Sequence, residues 1–269
     1  MGQAHLIHSR NCTGEQMAQL ESIVEHCNDL LCIQEFRDYC PNGLQVEGRS
    51  EVKSIICGVT ACQDLIEVAI SEQADMILVH HGYFWKNEDA TITGIKRKRI
   101  QSLLENNISL LAYHLPLDAH AELGNNVALA SKLEFNIEGC ADQGSAKGLL
   151  WYGELDNAMT AVELSAHIEK CLDRSPLHLG ASSDKKIKRL GWCTGGAQHY
   201  LEDAAKMGLD AFISGEVSEQ SFHLAKEMDI HYFAAGHHAT ELYGVQSLAN
   251  HLSNEFEIRT KFVDIYNPV

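Results

Sequence analysis

No Cys-x-x-Cys pair occurs among the nine cysteines of this 269-residue chain. The nearest spacings, Cys27 to Cys32 and Cys57 to Cys62, are too wide for a zinc knuckle or a dithiol redox motif. An odd number of scattered cysteines shows no disulfide framework and points to reduced thiols, so a cytoplasmic location is expected. No apolar run approaches the ~20 residues needed to span a bilayer. Met1 to Arg10 holds no apolar core behind a basic start, so no signal peptide is expected, and Leu6 breaks the myristoylation pattern after Gly2. Basic residues are scarce, 21 against 37 acidic ones, for a net charge of −16. A surface of that sign repels phosphate backbones and anionic membranes, so neither nucleic acid nor membrane is an expected partner. The single basic run, Lys96-Arg97-Lys98-Arg99, reads as the solvated face of a helix. Also missing are Gly-x-Ser-x-Gly, a P-loop, and Gly-x-Gly-x-x-Gly after a strand, which removes the usual serine-hydrolase and nucleotide-cradle readings. Gly195-Gly196 reads only as a tight strand-to-helix turn.

Apolar residues make up 45% of the chain, ordinary for a globular protein of one large or two smaller domains. Periodicity predicts a helix over 16–31, with Leu20, Ile23, Val24, Cys27 and Leu31 on one face. Apolar strands follow at 52–60, 75–80 and 108–113, separated by helices at 63–73, 95–106 and 125–133. After a weakly patterned, Gly-rich stretch at 136–150, strands are predicted near 149–155, 177–180, 187–193, 210–214, 230–235 and 258–265. Helices fall near 160–172, 197–207, 217–228 and 239–253. Strands apolar along their whole length and alternating with helices predict an α/β fold with sheets covered on both faces.

The chain also resembles itself. A shift of 135 residues aligns Gln63 with Gln198, Glu67 with Glu202, Ala69 with Ala204 and Asp75 with Asp210. The same shift sets Val79-His80-His81 against Ser214-Gly215-Glu216. A shift of 123 aligns His114-Leu-Pro-Leu-Asp118 with His237-His-Ala-Thr-Glu241. The prediction is two similar α/β units, an internal pseudo-duplication with mixed sheets flanked by helices, whose strand ends meet at one cleft. The first unit is drawn as residues 1–134 plus 230–269, with 1–15 a disordered or tag-like extension. The second is 135–229.

Histidine is the surplus residue, 15 in all, and it clusters at predicted strand ends. His80-His81 close one strand. Adjacent side chains leave a strand in opposite directions, so the pair suits two neighbouring ions better than one, unless one of them is a hydrogen-bonded core histidine. His114-x-x-x-Asp118, with His120 nearby, contains Pro116, which predicts a shaped loop rather than a helix. His237 and Glu241 share a helix face if the helix opens at 237, and His238 reads as a surface residue or cap. Imidazole and carboxylate without thiolate suit Zn, Fe, Mn or Ni. Three histidines and two carboxylates can hold two divalent ions if one carboxylate bridges, and the simplest chemistry of such a pair is metal-assisted hydrolysis.

Five segments carry a wider resemblance: Tyr39-Cys-Pro-Asn-Gly-Leu-Gln-Val-Glu47, Val79-His-His-Gly-Tyr-Phe-Trp85, His114-Leu-Pro-Leu-Asp-Ala-His120, Asp210-Ala-Phe-Ile-Ser-Gly-Glu216 and Gly236-His-His-Ala-Thr-Glu241. In order and spacing they resemble the GTP cyclohydrolase I type 2 homologue family of NIF-three-like metal proteins, from about Met17 to the C-terminus. The likeness is to the short bacterial form, without the domain that longer members insert between the halves. It implies a dinuclear site whose ligands are His80, His81, Asp118, His237 and Glu241, with His114, Glu216 and Glu219 lining it. It also implies a homohexameric ring with the metals facing inward, and a hydrolase that opens the purine ring of GTP with release of formate. The expected partner is therefore a small molecule, a nucleotide first among the candidates. The alternative is a non-enzymatic metal-binding or scaffold protein that forms a ring. Against a metal carrier stand five convergent hard or borderline ligands.

Overall fold

The computed structural model describes residues 17–142, 144, 147–182 and 184–269. The expected extension at 1–15 lies outside them. In chain order the first part gives β1 (Ala18–Gln19), α1 (Leu20–Leu30), β2 (Gly43–Val46), β3 (Glu51–Val52), β4 (Ser54–Thr60), α2 (Gln63–Ser71), β5 (Met76–His81), α3 (Gly94–Glu105), β6 (Ser109–Ala112), α4 (Leu115–Ala119) and α5 (Asn125–Lys132). Then come β7 (Asn136–Cys140), β8 (Trp151–Met159), α6 (Ala161–Leu172), β9 (Leu177–Gly180), β10 (Ile187–Cys193), α7 (Leu201–Lys206), β11 (Ala211–Ser214), α8 (Glu219–Glu227) and β12 (His231–Ala234). The chain closes with α9 (His237–Thr240), α10 (Leu242–Phe256) and β13 (Arg259–Phe262).

A five-stranded sheet runs β13-β4-β5-β6-β2 and a six-stranded sheet runs β7-β8-β10-β11-β12-β9, beside a short β1–β3 ribbon. Each large sheet has the same parallel core, β4-β5-β6 in one and β10-β11-β12 in the other. An antiparallel strand follows the third core strand in both, β2 on β6 and β9 on β12. The sheets are mixed, as predicted.

Alternation along β4 explains why its whole length is apolar. Ile55 and Cys57 pack with Leu248 and Leu252 of α10 on one face. Ile56 packs with Leu65, Ile66 and Leu103 of α2 and α3 on the other. The second sheet is likewise buried on both sides, with Leu190, Trp192 and Ile213 against α5 and α6, and Phe212 and Tyr232 against α7 and α8.

The 135-residue register has a physical meaning. Asp75 Oδ2 accepts hydrogen bonds from the backbone N–H groups of Lys53 and Ser54, at 2.8 and 3.0 Å. Asp210 Oδ2 accepts from those of Lys188 and Arg189, at 3.0 and 2.9 Å. Adding 135 to 53, 54 and 75 returns 188, 189 and 210. In both sheets a carboxylate ahead of the second core strand ties down the start of the first.

Three local expectations change. The strand at 231–234, drawn with the first unit, hydrogen-bonds between β11 and β9 inside the second sheet. Only α10 and β13 return to the first. The loop expected around Pro116 is the short helix α4, in which Pro116 occupies the first turn. A first-turn residue has no intrahelical acceptor for its N–H, so proline costs nothing there. No strand is predicted between the helix at 16–31 and the strand at 52–60, yet an edge strand, β2, runs there, and Gly43 enters it with φ of +101°. Among the described residues the eight cysteines are free thiols. No described helix is long and apolar enough to cross a membrane.

Candidate metal centre

The C-terminal ends of the parallel strands of both sheets converge on one buried spot. β5 delivers His80 and His81 there, the turn after β6 delivers His114 and, through α4, Asp118, and the turn after β12 delivers His237 and Glu241.

His80 is fully buried, and its Nδ1 donates to the Tyr113 carbonyl at 2.8 Å. A carbonyl only accepts, so in the neutral ring this bond fixes the tautomer and leaves the lone pair on Nε2. Nε2 lies 3.4 Å from Asp118 Oδ1 and 3.5 Å from Glu241 Oε1. His81 turns the other way, with Nδ1 3.3 Å from Thr60 Oγ1 and Nε2 3.2 Å from Glu241 Oε2. His237 opens α9, so Glu241 follows one turn later on the same side. Its Nε2 is 3.1 Å from Glu241 Oε2, while its Nδ1 is held at 2.7 Å by Glu216. Asp118 Oδ1 is steadied by Asn125 Nδ2 at 2.9 Å and Thr194 Oγ1 at 3.1 Å.

Two donor sets meet at Glu241. His80, Asp118 and Glu241 make one, and His81, His237 and Glu241 the other, with the donor atoms of each set within 4.8 Å of one another. Glu241 belongs to both, one oxygen turned to each. Gly195 makes room for it: a Cβ there would lie 2.1 Å from Glu241 Oε1, and its φ of +67° lies in the left-handed region that favours glycine. The Gly195-Gly196 turn therefore serves the carboxylate.

Burial opposes charge here, and the charges answer one another. Burial would lower His80, but Asp118 and Glu241 outweigh it and push it up to about 9. Burial likewise loses at His237, which Glu241 and Glu216 raise to about 9. His81 is pushed down to about 3 by burial and by its neighbouring imidazoles. Burial would raise Glu241, yet His81, His80 and His237 hold it well below the ordinary carboxylate value. Asp118 is raised by burial and by Glu241, with His80 opposing.

These residues fit a metal ion. Glu241 Oε2 is buried and has no hydrogen-bond partner, although two imidazole nitrogens stand at 3.1 and 3.2 Å. Ligands bound about 2.1 Å from a common ion stand roughly 3–3.5 Å apart. The donor spacings of 3.1 to 3.5 Å match that edge length, and imidazole with carboxylate is a set that Zn, Fe, Mn and Ni accept. A cavity of about 130 Å³ lined by Thr60, His81, His237, His238, Asn267 and Val269 adjoins the His81–His237 side.

Other histidines of the motifs do different work. His120 Nδ1 accepts from the Leu123 N–H at 3.0 Å and shapes the turn after α4. His238 pairs with Asp264 at 2.8 Å. Glu219 is exposed, beside His223, and joins neither donor set. Sequence reasoning missed Asn125, Thr194 and Asp38. Asp38 lies one residue before the Tyr39–Glu47 segment, and its carboxylate accepts from His114 Nδ1 at 2.7 Å. A lone acidic residue in a turn-rich stretch was the available signal.

The sequence profile described as Duf34/NIF3 (NGG1p interacting factor 3) matches residues 18–268. Similar curated proteins are named GTP cyclohydrolase 1 type 2 homolog. One from Pasteurella multocida is 51% identical, and one from Yersinia pestis 49%, each over 93% of this chain and 98% of the relative. Among solved structures, protein ybgI, described as of unknown function, superposes with a TM-score of 0.90 at 44% identity, over 94% of this chain and 100% of the other. TTHA1606 from Thermus thermophilus gives 0.84 at 30% identity, with the same coverage.

Proposed function

The chain belongs to the Duf34/NIF3 family, and on that premise we propose that it is a metal-dependent hydrolase with a dinuclear centre. Its ligands are His80, His81, Asp118, His237 and Glu241, and its substrate is a small molecule of the nucleotide class. The observation that carries the reading is the divided Glu241, whose Oε1 faces His80 at 3.5 Å while its unpartnered Oε2 faces His81 and His237. A carboxylate so placed would serve both donor sets. Divalent ions held there supply Lewis acidity and activate water at neutral pH. The chain's own part is to fix the donors: the Tyr113 carbonyl, Thr60 and Glu216 aim the three imidazoles, and Asn125 and Thr194 aim Asp118. Two such cations also offset part of the −16 where an anionic substrate has to bind.

The relatives' name makes purine ring opening with formate release the first reaction to try. A homohexameric ring and a cytoplasmic location belong to the same proposal. The test is to measure metal per chain and then screen nucleotides, GTP first, for metal-dependent hydrolysis. About two ions per chain, a loss in Asp118→Ala, and turnover that a chelator abolishes support the reading. Loaded protein that turns over no nucleotide transfers the site to a non-enzymatic metal-binding or scaffold role.

A further inference from the structure

His237 and His114 occupy equivalent positions in the two halves, each four residues before a carboxylate of the centre. His237 has its Nδ1 held by Glu216, two residues beyond the end of β11. The 135-residue register puts His81 where Glu216 stands, so the first half has no carboxylate at that point. Asp38, from a loop outside the repeat, fills the gap. Its side chain is 3% exposed, and it accepts four hydrogen bonds: from His114 Nδ1 at 2.7 Å, the Tyr39 N–H at 2.6 Å, Asn42 Nδ2 at 2.9 Å and the Leu115 N–H at 2.9 Å. Asn42 Oδ1 in turn accepts from the His114 N–H at 2.7 Å. The loop is clasped to the histidine at both backbone and ring. The Trp85 ring meets the imidazole edge-on, with centroids 5.0 Å apart.

We infer that Asp38 is a positioning residue, which fixes His114 with Nδ1 protonated and its Nε2 lone pair facing the candidate centre, as hydrogen-bond acceptor for the attacking water. The inference rests on the hydrolase reading. One ring nitrogen from each of His114, His80 and His81 lies within 4.8 Å of the others. Among the described residues, however, no donor set joins His114 to Asp118 or Glu241. It faces the centre without sharing either carboxylate, as an acceptor beside the ligands. A carboxylate behind an imidazole enforces one tautomer and one ring orientation, and makes the far nitrogen the better acceptor. Burial would raise the Asp38 carboxyl, but the hydrogen bonds from His114, Asn42 and the Tyr39 N–H outweigh it and keep it below its ordinary value.

The test uses zinc-loaded full-length protein with ¹⁵N-labelled histidine rings and solid-state NMR, the His114 signals being assigned by their loss in His114→Gln. The expected wild-type spectrum shows a protonated Nδ1 and a bare Nε2. In Asp38→Ala that preference collapses to a mixture of tautomers. Zinc affinity in His114→Gln stays within about threefold of wild type, whereas Glu216→Gln, which removes the charge behind the His237 ring, loses roughly 10–100-fold. A His114 proton on Nε2 in the wild type overturns the inference. So does a zinc loss in His114→Gln as large as that in Glu216→Gln, since His114 is then a ligand. If Asp38→Ala does not fold, the wild-type tautomer and the His114→Gln zinc content still decide. Failure of the wild type to bind zinc sinks the metal reading itself, while the tautomer of the same sample judges Asp38 separately.

Discussion

The two donor sets share Glu241 yet live in different surroundings. In one, His80 is wholly buried and Asp118 is 5% exposed, with Asn125 and Thr194 packed behind them. In the other, the side chains of His81 and His237 are 17% and 27% exposed and border the cavity. Both arise from the same scaffold, the ends of a parallel three-strand core. The halves differ in what each places at the end of its second core strand: His80-His81 in the first, Gly215-Glu216 in the second. The first half spends that position on two candidate ligands, and the second on a carboxylate that holds the candidate ligand His237. The lesson is that one shared carboxylate joins a set closed within the protein to a set open to the cavity.

The largest effect should come from the residue both sets share. Glu241→Ala is expected to abolish metal at both positions together, as read by elemental analysis after dialysis. Retention of one ion would show that the carboxylate does not bridge. Asp118→Ala strikes only the closed set, so metal is expected to fall while the donors His81, His237 and Glu241 keep their ion. If Asp118→Ala empties both, the open position has no independent standing.

Protons should compete with metal at both sets. His80 and His237, one from each, are both pushed up to about 9 in the metal-free chain. Below that pH each carries a proton that an incoming cation must displace. Affinity should therefore rise with pH from 6 toward 9 and level off above, by about tenfold per pH unit for each proton released. Calorimetry in buffers of different ionisation enthalpy counts those protons. Uptake of metal with no proton release at pH 7 would contradict the charges assigned to the site.

Much of this was legible in the chain itself. Apolar runs such as Ile55–Cys57 and Ile77–Val79 announce strands buried on both faces. His80 and His81 end a strand, and Asp118, His237 and Glu241 lie in the short helical segments that follow one, so imidazole and carboxylate cluster in short motifs. What escaped was long-range. Asp38 meets His114 across 76 residues, and Thr194 meets Asp118 across another 76, with no local periodicity to link them. The placement of β12 was missed for the same reason, since strand order is decided by pairing and not by the strand's own composition. The helix at Pro116 escaped because proline forbids a helix interior but not a first turn.

The smallest effect tests the equivalence of the halves away from the metal. Asp75 and Asp210 each accept two backbone N–H groups at the start of a core strand, and removing either carboxylate strands those donors. Asp75 is 6% exposed and also receives Arg49 Nη1 at 2.8 Å. Both alanine variants should be destabilised by about 1–3 kcal/mol, with Asp75→Ala nearer the upper end because its donors are the more deeply cut off from water. Urea unfolding of metal-free protein measures the difference. Equal losses would mean that Arg49 adds nothing, as exposed ion pairs often do. No loss in Asp210→Ala would mean that the halves share a geometry without sharing its energetics.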